Sequence, residues 1–116
     1  MLPVEYGFQE RPRGHGYTVL ETIGENAFFD VGETLRGHEF HYTFMDPISS
    51  QGSERVEFAF RVHRGYGFDG EHDGLIRGNV LACYTHIHAS GVATWAPSLV
   101  RAAQQAQSSL QDNATP

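Results

Sequence analysis

His38-Glu39-Phe40-His41-Tyr42-Thr43-Phe44-Met45 alternates strictly, with Glu39, His41 and Thr43 on one side and Phe40, Tyr42 and Phe44 on the other. Successive side chains of a strand point to opposite faces, so this period of two reads as a β-strand half buried in a sheet. Asp46-Pro47 closes the strand. The aromatic face is expected to be core, and the polar face to meet water or a site.

The same pattern extends outward in both directions. Gly16 to Ile23 is rich in β-branched and aromatic residues and ends at Gly24, which predicts a strand. Ala27 to Gly32 is too brief an apolar run to be more than a loop or a short edge strand. Ile48 to Glu54, with Ser49, Ser50, Gly52 and Ser53, is expected to be a polar loop. Val56, Phe58, Phe60 and Val62 alternate with polar residues and should face inward. The glycines of Arg64 to Gly74 predict a turn or hairpin. Leu75 to Ile87 reads as one long, largely buried strand, bent at Gly78-Asn79. Only the end has helical spacing: Trp95, Leu99, Ala103, Ala106 and Leu110 form one apolar stripe, with Thr94 as cap and Pro97 in the first turn. The expected class is α+β, β-rich, with several mainly antiparallel strands and one C-terminal helix. Residues 111–116 are expected to be a disordered polar tail.

Composition removes several functions. All eight cations among the 116 residues are arginine, and the net charge is −6. Without lysine there is no Schiff-base chemistry and no P-loop lysine, and the acidic balance argues against nucleic acid. No apolar run approaches the roughly 18 residues of a membrane helix, and no secretory leader is visible, so a cytoplasmic protein is expected. The single cysteine, Cys83, can form neither an internal disulfide nor a cysteine zinc site. The seven histidines are scattered along the chain.

Three segments carry a family resemblance, in order. They are Gly14-His15-Gly16-Tyr17 after Met1-Leu2-Pro3, then Arg36-Gly37-His38-Glu39-Phe40-His41-Tyr42, then Asp73-Gly74-Leu75-Ile76-Arg77-Gly78-Asn79-Val80-Leu81-Ala82-Cys83-Tyr84-Thr85-His86-Ile87-His88. Together they resemble the glutaminase part of the cobyrinic acid a,c-diamide synthase family. The resemblance implies that residues 1–110 are the C-terminal portion of an α/β class I-type glutamine amidotransferase domain. In such enzymes a glutaminase releases ammonia, which attacks a tetrapyrrole carboxylate activated with ATP and magnesium. The nucleophilic cysteine and the P-loop-like ATP domain are expected upstream, in parts this chain does not contain. The chain alone is therefore expected to be inactive and to hold no cofactor or metal. Its expected partners are those upstream parts, glutamine and the tetrapyrrole, with no nucleic acid and no membrane.

Hydrolysis of a glutamine amide needs a thiolate, and a free thiol near pKa 8.5 is mostly protonated at neutral pH. A histidine within hydrogen-bond reach takes that proton and returns one to leaving ammonia. His86 matches the family's catalytic histidine, at the end of the last strand before the helix. His88 shares its strand face and stands where many class I glutaminases carry an orienting acid. Glu39 and His41, preceded by Arg36, are candidates either to support His86 and line the glutamine site or to form a local polar network. Cys83 is expected to be an inert core residue facing away from His86. Gly65-Tyr66-Gly67 precedes no helix, so it is a turn and not a phosphate cradle.

Two other functions remain open on the sequence. One is a histidine metal site from His38, His41, His86 and His88, although His38 and His41 should lie on opposite strand faces. The other is a ligand-binding or regulatory module of the same fold that has lost catalysis.

Overall fold

Two antiparallel ladders organise the chain in the computed structural model, which describes residues 2, 4–47 and 56–114. The smaller pairs β1 (Val4–Phe8) with β4 (Thr43–Pro47), Tyr6 opposite Met45. The larger has five strands in the order β3 (Thr34–His41), β2 (Gly14–Thr22), β5 (Glu57–Arg64), β6 (His72–Arg77) and β7 (Val80–Ala82). One helix follows, α1 (Trp95–Ala114). The chain is thus strand-rich and antiparallel with a C-terminal helix. The polar stretch Ile48 to Glu54 lies outside the described residues.

β2 lies second in the sheet. It pairs with β3 from Gly14↔His41 to Glu21↔Thr34 and with β5 from Val19↔Arg64 to Thr22↔Phe60, with a bulge at Val19/Leu20. One core cluster forms where Leu20, Leu35, Ala59 and Phe60 meet Phe29 and Val92. A second gathers Met45, Phe68 and Leu75 with Phe58 and Tyr84. Phe29 reaches the core from the 24–32 loop because Asn26 shapes that loop. Its amide oxygen accepts from Phe28 and Phe29 N–H at 2.9 Å, and its NH2 donates to the carbonyls of Gly24 and Phe29. Such a side chain replaces a turn's missing backbone partners.

Four expectations change. The run His38 to Met45 is two strands, broken at Tyr42, because β3 ladders with β2 while β4 turns away to β1. Its faces are reversed: Glu39 and His41 are buried, while Phe40 and Tyr42 are 47% and 41% exposed. Leu75 to Ile87 is a hairpin, β6 and β7 joined at Gly78-Asn79, followed by irregular chain from Cys83. Residues 111–114 continue the helix and are not a disordered tail.

The helix itself is lightly seated. Thr94 stands just before it, its carbonyl accepting from Ser98 N–H at 2.9 Å, but its hydroxyl donates to Glu33 instead of capping. Only Ser98 is buried along its length. The apolar stripe of Leu99, Ala103, Ala106 and Leu110 lines an open groove of about 670 Å³ shared with Ala27 and Phe28. Among the described residues no helix is long and apolar enough to cross a membrane.

Candidate functional site

β3 separates two sets of polar residues by its two faces. On the inner face Glu39 is 1% exposed and accepts three hydrogen bonds: from Tyr66 N–H at 2.5 Å, from Gly67 N–H at 2.9 Å, and across 3.1 Å from His41 Nε2. His41 Nδ1 lies 3.0 Å from the Thr43 carbonyl. The His41 ring stacks on Tyr84 at 3.7 Å and 10°, and the Tyr84 hydroxyl meets Thr43 Oγ1 at 2.7 Å. Burying a carboxylate is costly unless its oxygens are bonded, and here the β5–β6 loop supplies the donors. Gly14, opposite His41 on β2, leaves the space: a Cβ there would collide with Glu39 Oε2 and His41 Nε2. Glu39 and His41 therefore form a local polar network tying β3 to the 65–71 loop.

On the outer face stand His38 and, outside any strand, His86. Their backbones bond reciprocally, His86 N–H to His38 O at 2.7 Å and His38 N–H to His86 O at 3.1 Å. The rings are 6.2 Å apart at 66°, with Tyr17 6.4 Å from His38. His86 is exposed, and among the described residues its ring has no hydrogen-bond partner. Glu39 and His41 do not reach it. His88 does not share a strand face with it either: its Nδ1 accepts from Ser90 N–H at 3.1 Å and its carbonyl from Gly91, which fixes the turn before the helix.

Cys83 differs from expectation in its place. The residue is exposed, not core. Its thiol nevertheless donates to the Thr85 carbonyl at 3.2 Å, and desolvation together with the nearby Asp73 carboxylate pushes it up to about 12. A nucleophile needs the opposite shift.

The four histidines weighed as metal ligands do not converge. His41 is on the inner face, His88 Nδ1 is committed to Ser90, and no group of three or more metal-ligating side chains gathers among the described residues.

A further buried carboxylate, Asp73, stands at the head of the segment that leads to His86. Asp73 is 0% exposed and accepts from the N–H groups of Gly74, Tyr84 and Thr85 at 2.8, 3.0 and 3.0 Å. Burial pushes its carboxyl up, and hydrogen bonding from Tyr84, Thr85 and Gly74 pulls it partly back. The only signal in the sequence was a carboxylate heading the apolar run Leu75-Ile76.

Comparison with known proteins agrees with the residues quoted above. The CobB/CobQ-like glutamine amidotransferase domain matches residues 1–93. A cobyrinate a,c-diamide synthase of Magnetococcus marinus is 41% identical over 100 residues, covering 86% of this chain and 21% of its own length. Those of Archaeoglobus fulgidus and Halobacterium salinarum are 37% and 38% identical, covering 75% and 80% of this chain and 18% and 20% of their own lengths. The chain thus spans about a fifth of the length of these relatives, in their C-terminal part. No solved structure matches significantly.

Proposed function

Because this chain belongs to the family of CobB/CobQ-like glutamine amidotransferase domains, we propose that it is the histidine-bearing, C-terminal portion of an α/β class I-type glutaminase. The complete enzyme would be a ligase of cobalamin biosynthesis that amidates a tetrapyrrole carboxylate, as its relatives' names indicate. His86 is the general base and acid. It removes the proton from a cysteine thiol carried elsewhere in the enzyme, and the thiolate attacks the glutamine side-chain carbon. The C–N bond then breaks, and the same proton leaves with ammonia. Water attacking the thioester yields glutamate and restores the thiol.

The observation that carries this reading is the state of His86. Its backbone is fixed on both sides, while its ring is exposed and has no hydrogen-bond partner among the described residues. An imidazole held that way is ready for a partner outside this chain. Cys83 does not serve, since its thiol is pushed up to about 12.

ATP and magnesium belong to another part of the enzyme. The glycine-rich 65–70 loop leads into strand β6, not a helix, and two of its amides are already bonded to Glu39. Those residues do not offer the free amides at a helix N-terminus by which a P-loop cradles a triphosphate.

In the complete enzyme, His86→Ala is expected to lower glutamine-dependent amidation by about 10²–10⁴-fold, the usual cost of losing a positioned general base. Amidation from free ammonia should survive, since it needs no thiolate. Rates with both nitrogen sources decide: equal loss of the two, or loss of neither, would sink the reading.

A further inference from the structure

The geometry assigns Asp73 as the positioning residue for His86, acting through the backbone of Tyr84 and Thr85. This rests on the reading of His86 as the catalytic base. After β7 the chain leaves the sheet, so Tyr84, Thr85 and His86 gain little from a regular ladder. Three consecutive amides there are nevertheless bonded. Tyr84 N–H donates to Asp73 Oδ1 and Thr85 N–H to Asp73 Oδ2, both at 3.0 Å, and His86 N–H donates to His38 O at 2.7 Å. Asp73 thus holds the segment at Tyr84 and Thr85, and the His38 backbone holds it at His86.

The chemistry calls for a carboxylate. Three N–H groups converge on its two oxygens, with Gly74 N–H sharing Oδ1 at 2.8 Å. Asparagine offers one acceptor oxygen and an NH2, so one buried donor would face another donor. The opposing side is equally tight. A Cβ on Gly37 would stand 2.5 Å from Thr85 Cγ2 and 2.6 Å from the His86 carbonyl, so only glycine lets β3 approach this closely. Burial raises the Asp73 carboxyl despite the hydrogen bonding from Tyr84, Thr85 and Gly74. A buried carboxylate is a weak device for stability alone, and one that fixes a reactive segment has a reason to be there.

The test compares Asp73→Asn with His86→Ala in the complete enzyme, alongside amide exchange in the 116-residue chain. Asp73→Asn should lower kcat with glutamine by about 10²-fold, as misplacing a catalytic group by an ångström does. The KM for glutamine and the rate with ammonia should stay within about threefold, since substrate binding and carboxylate activation are untouched. In the chain, Thr85 N–H should exchange at least about tenfold faster in the variant, while Leu20 and Val62 in β2 and β5 keep their protection. Undiminished glutamine activity in Asp73→Asn, beside an inactive His86→Ala, overturns the proposal. Full glutamine activity in His86→Ala overturns the reading of His86 instead. If Asp73→Asn does not fold, the wild-type chain decides. Tyr84 and Thr85 amides protected like those of β5 support the anchoring, and exchange as fast as at exposed Ala89 refutes it.

Discussion

Cys83, Glu39 and His41 each sit where residue type alone would not put them. Cys83 is exposed yet carries a thiol pushed up to about 12, by desolvation and by Asp73. Iodoacetamide at pH 8 is expected to modify it at least about tenfold more slowly than free cysteine, because only the thiolate reacts. A rate matching free cysteine would show an ordinarily solvated thiol. Glu39 and His41 were legible as a pair on one strand face, since a period of two gives that directly. Which face is buried was not legible. The amides that satisfy Glu39 belong to Tyr66 and Gly67, far along the chain, and the ring that covers His41 is Tyr84. With those partners in place a polar face can be core, and Phe40 and Tyr42 are left outside. Asp73 is illegible in the sequence for the same reason: it acts through its bonds to Tyr84 and Thr85, which no local spacing reveals.

At the scale of elements, alternation located β3 and β5 and the 3.6-residue stripe located α1, because both signals are local. The break at Tyr42 and the hairpin at Gly78-Asn79 depend on which strand pairs with which, and apolar runs do not encode that. The contrast between β5 and α1 gives a test. Phe60 is fully buried between Leu20 and Phe29, so Phe60→Ala should cost about 3–5 kcal/mol. Leu110 belongs to an equally regular stripe but is 71% exposed, so Leu110→Ala should change stability by no more than about 0.5 kcal/mol. Urea unfolding of both variants measures the difference. A large loss at Leu110 would mean that the helix packs its stripe more tightly than this structure shows.

Over the whole molecule, the antiparallel class was legible from element types, whereas the family came from three motifs whose residues the fold then brings together. Gly14 and Gly37 give β2 and β3 their close approaches, and Asp73 and His38 hold the segment that ends at His86. The same buried carboxylate makes overall stability depend on pH with a definite sign. Desolvation raises the Asp73 carboxyl above its ordinary value of 3.8, and hydrogen bonding from Tyr84, Thr85 and Gly74 only partly offsets this. A group raised on folding binds its proton more tightly in the native state. Its contribution to stability is therefore fully present below the ordinary Asp value and is lost as pH rises through the folded value. Asp73→Asn has no titrating group at that position, so the difference between wild type and variant isolates the effect. Relative to Asp73→Asn, the wild-type chain should lose stability as pH climbs from about 3.8 through the raised value, and the difference should be flat above it. Urea midpoints measured for both chains from acid to neutral pH give that difference directly. A wild type that instead gains on the variant with rising pH would show that the amide bonds to the carboxylate outweigh the cost of burying its charge.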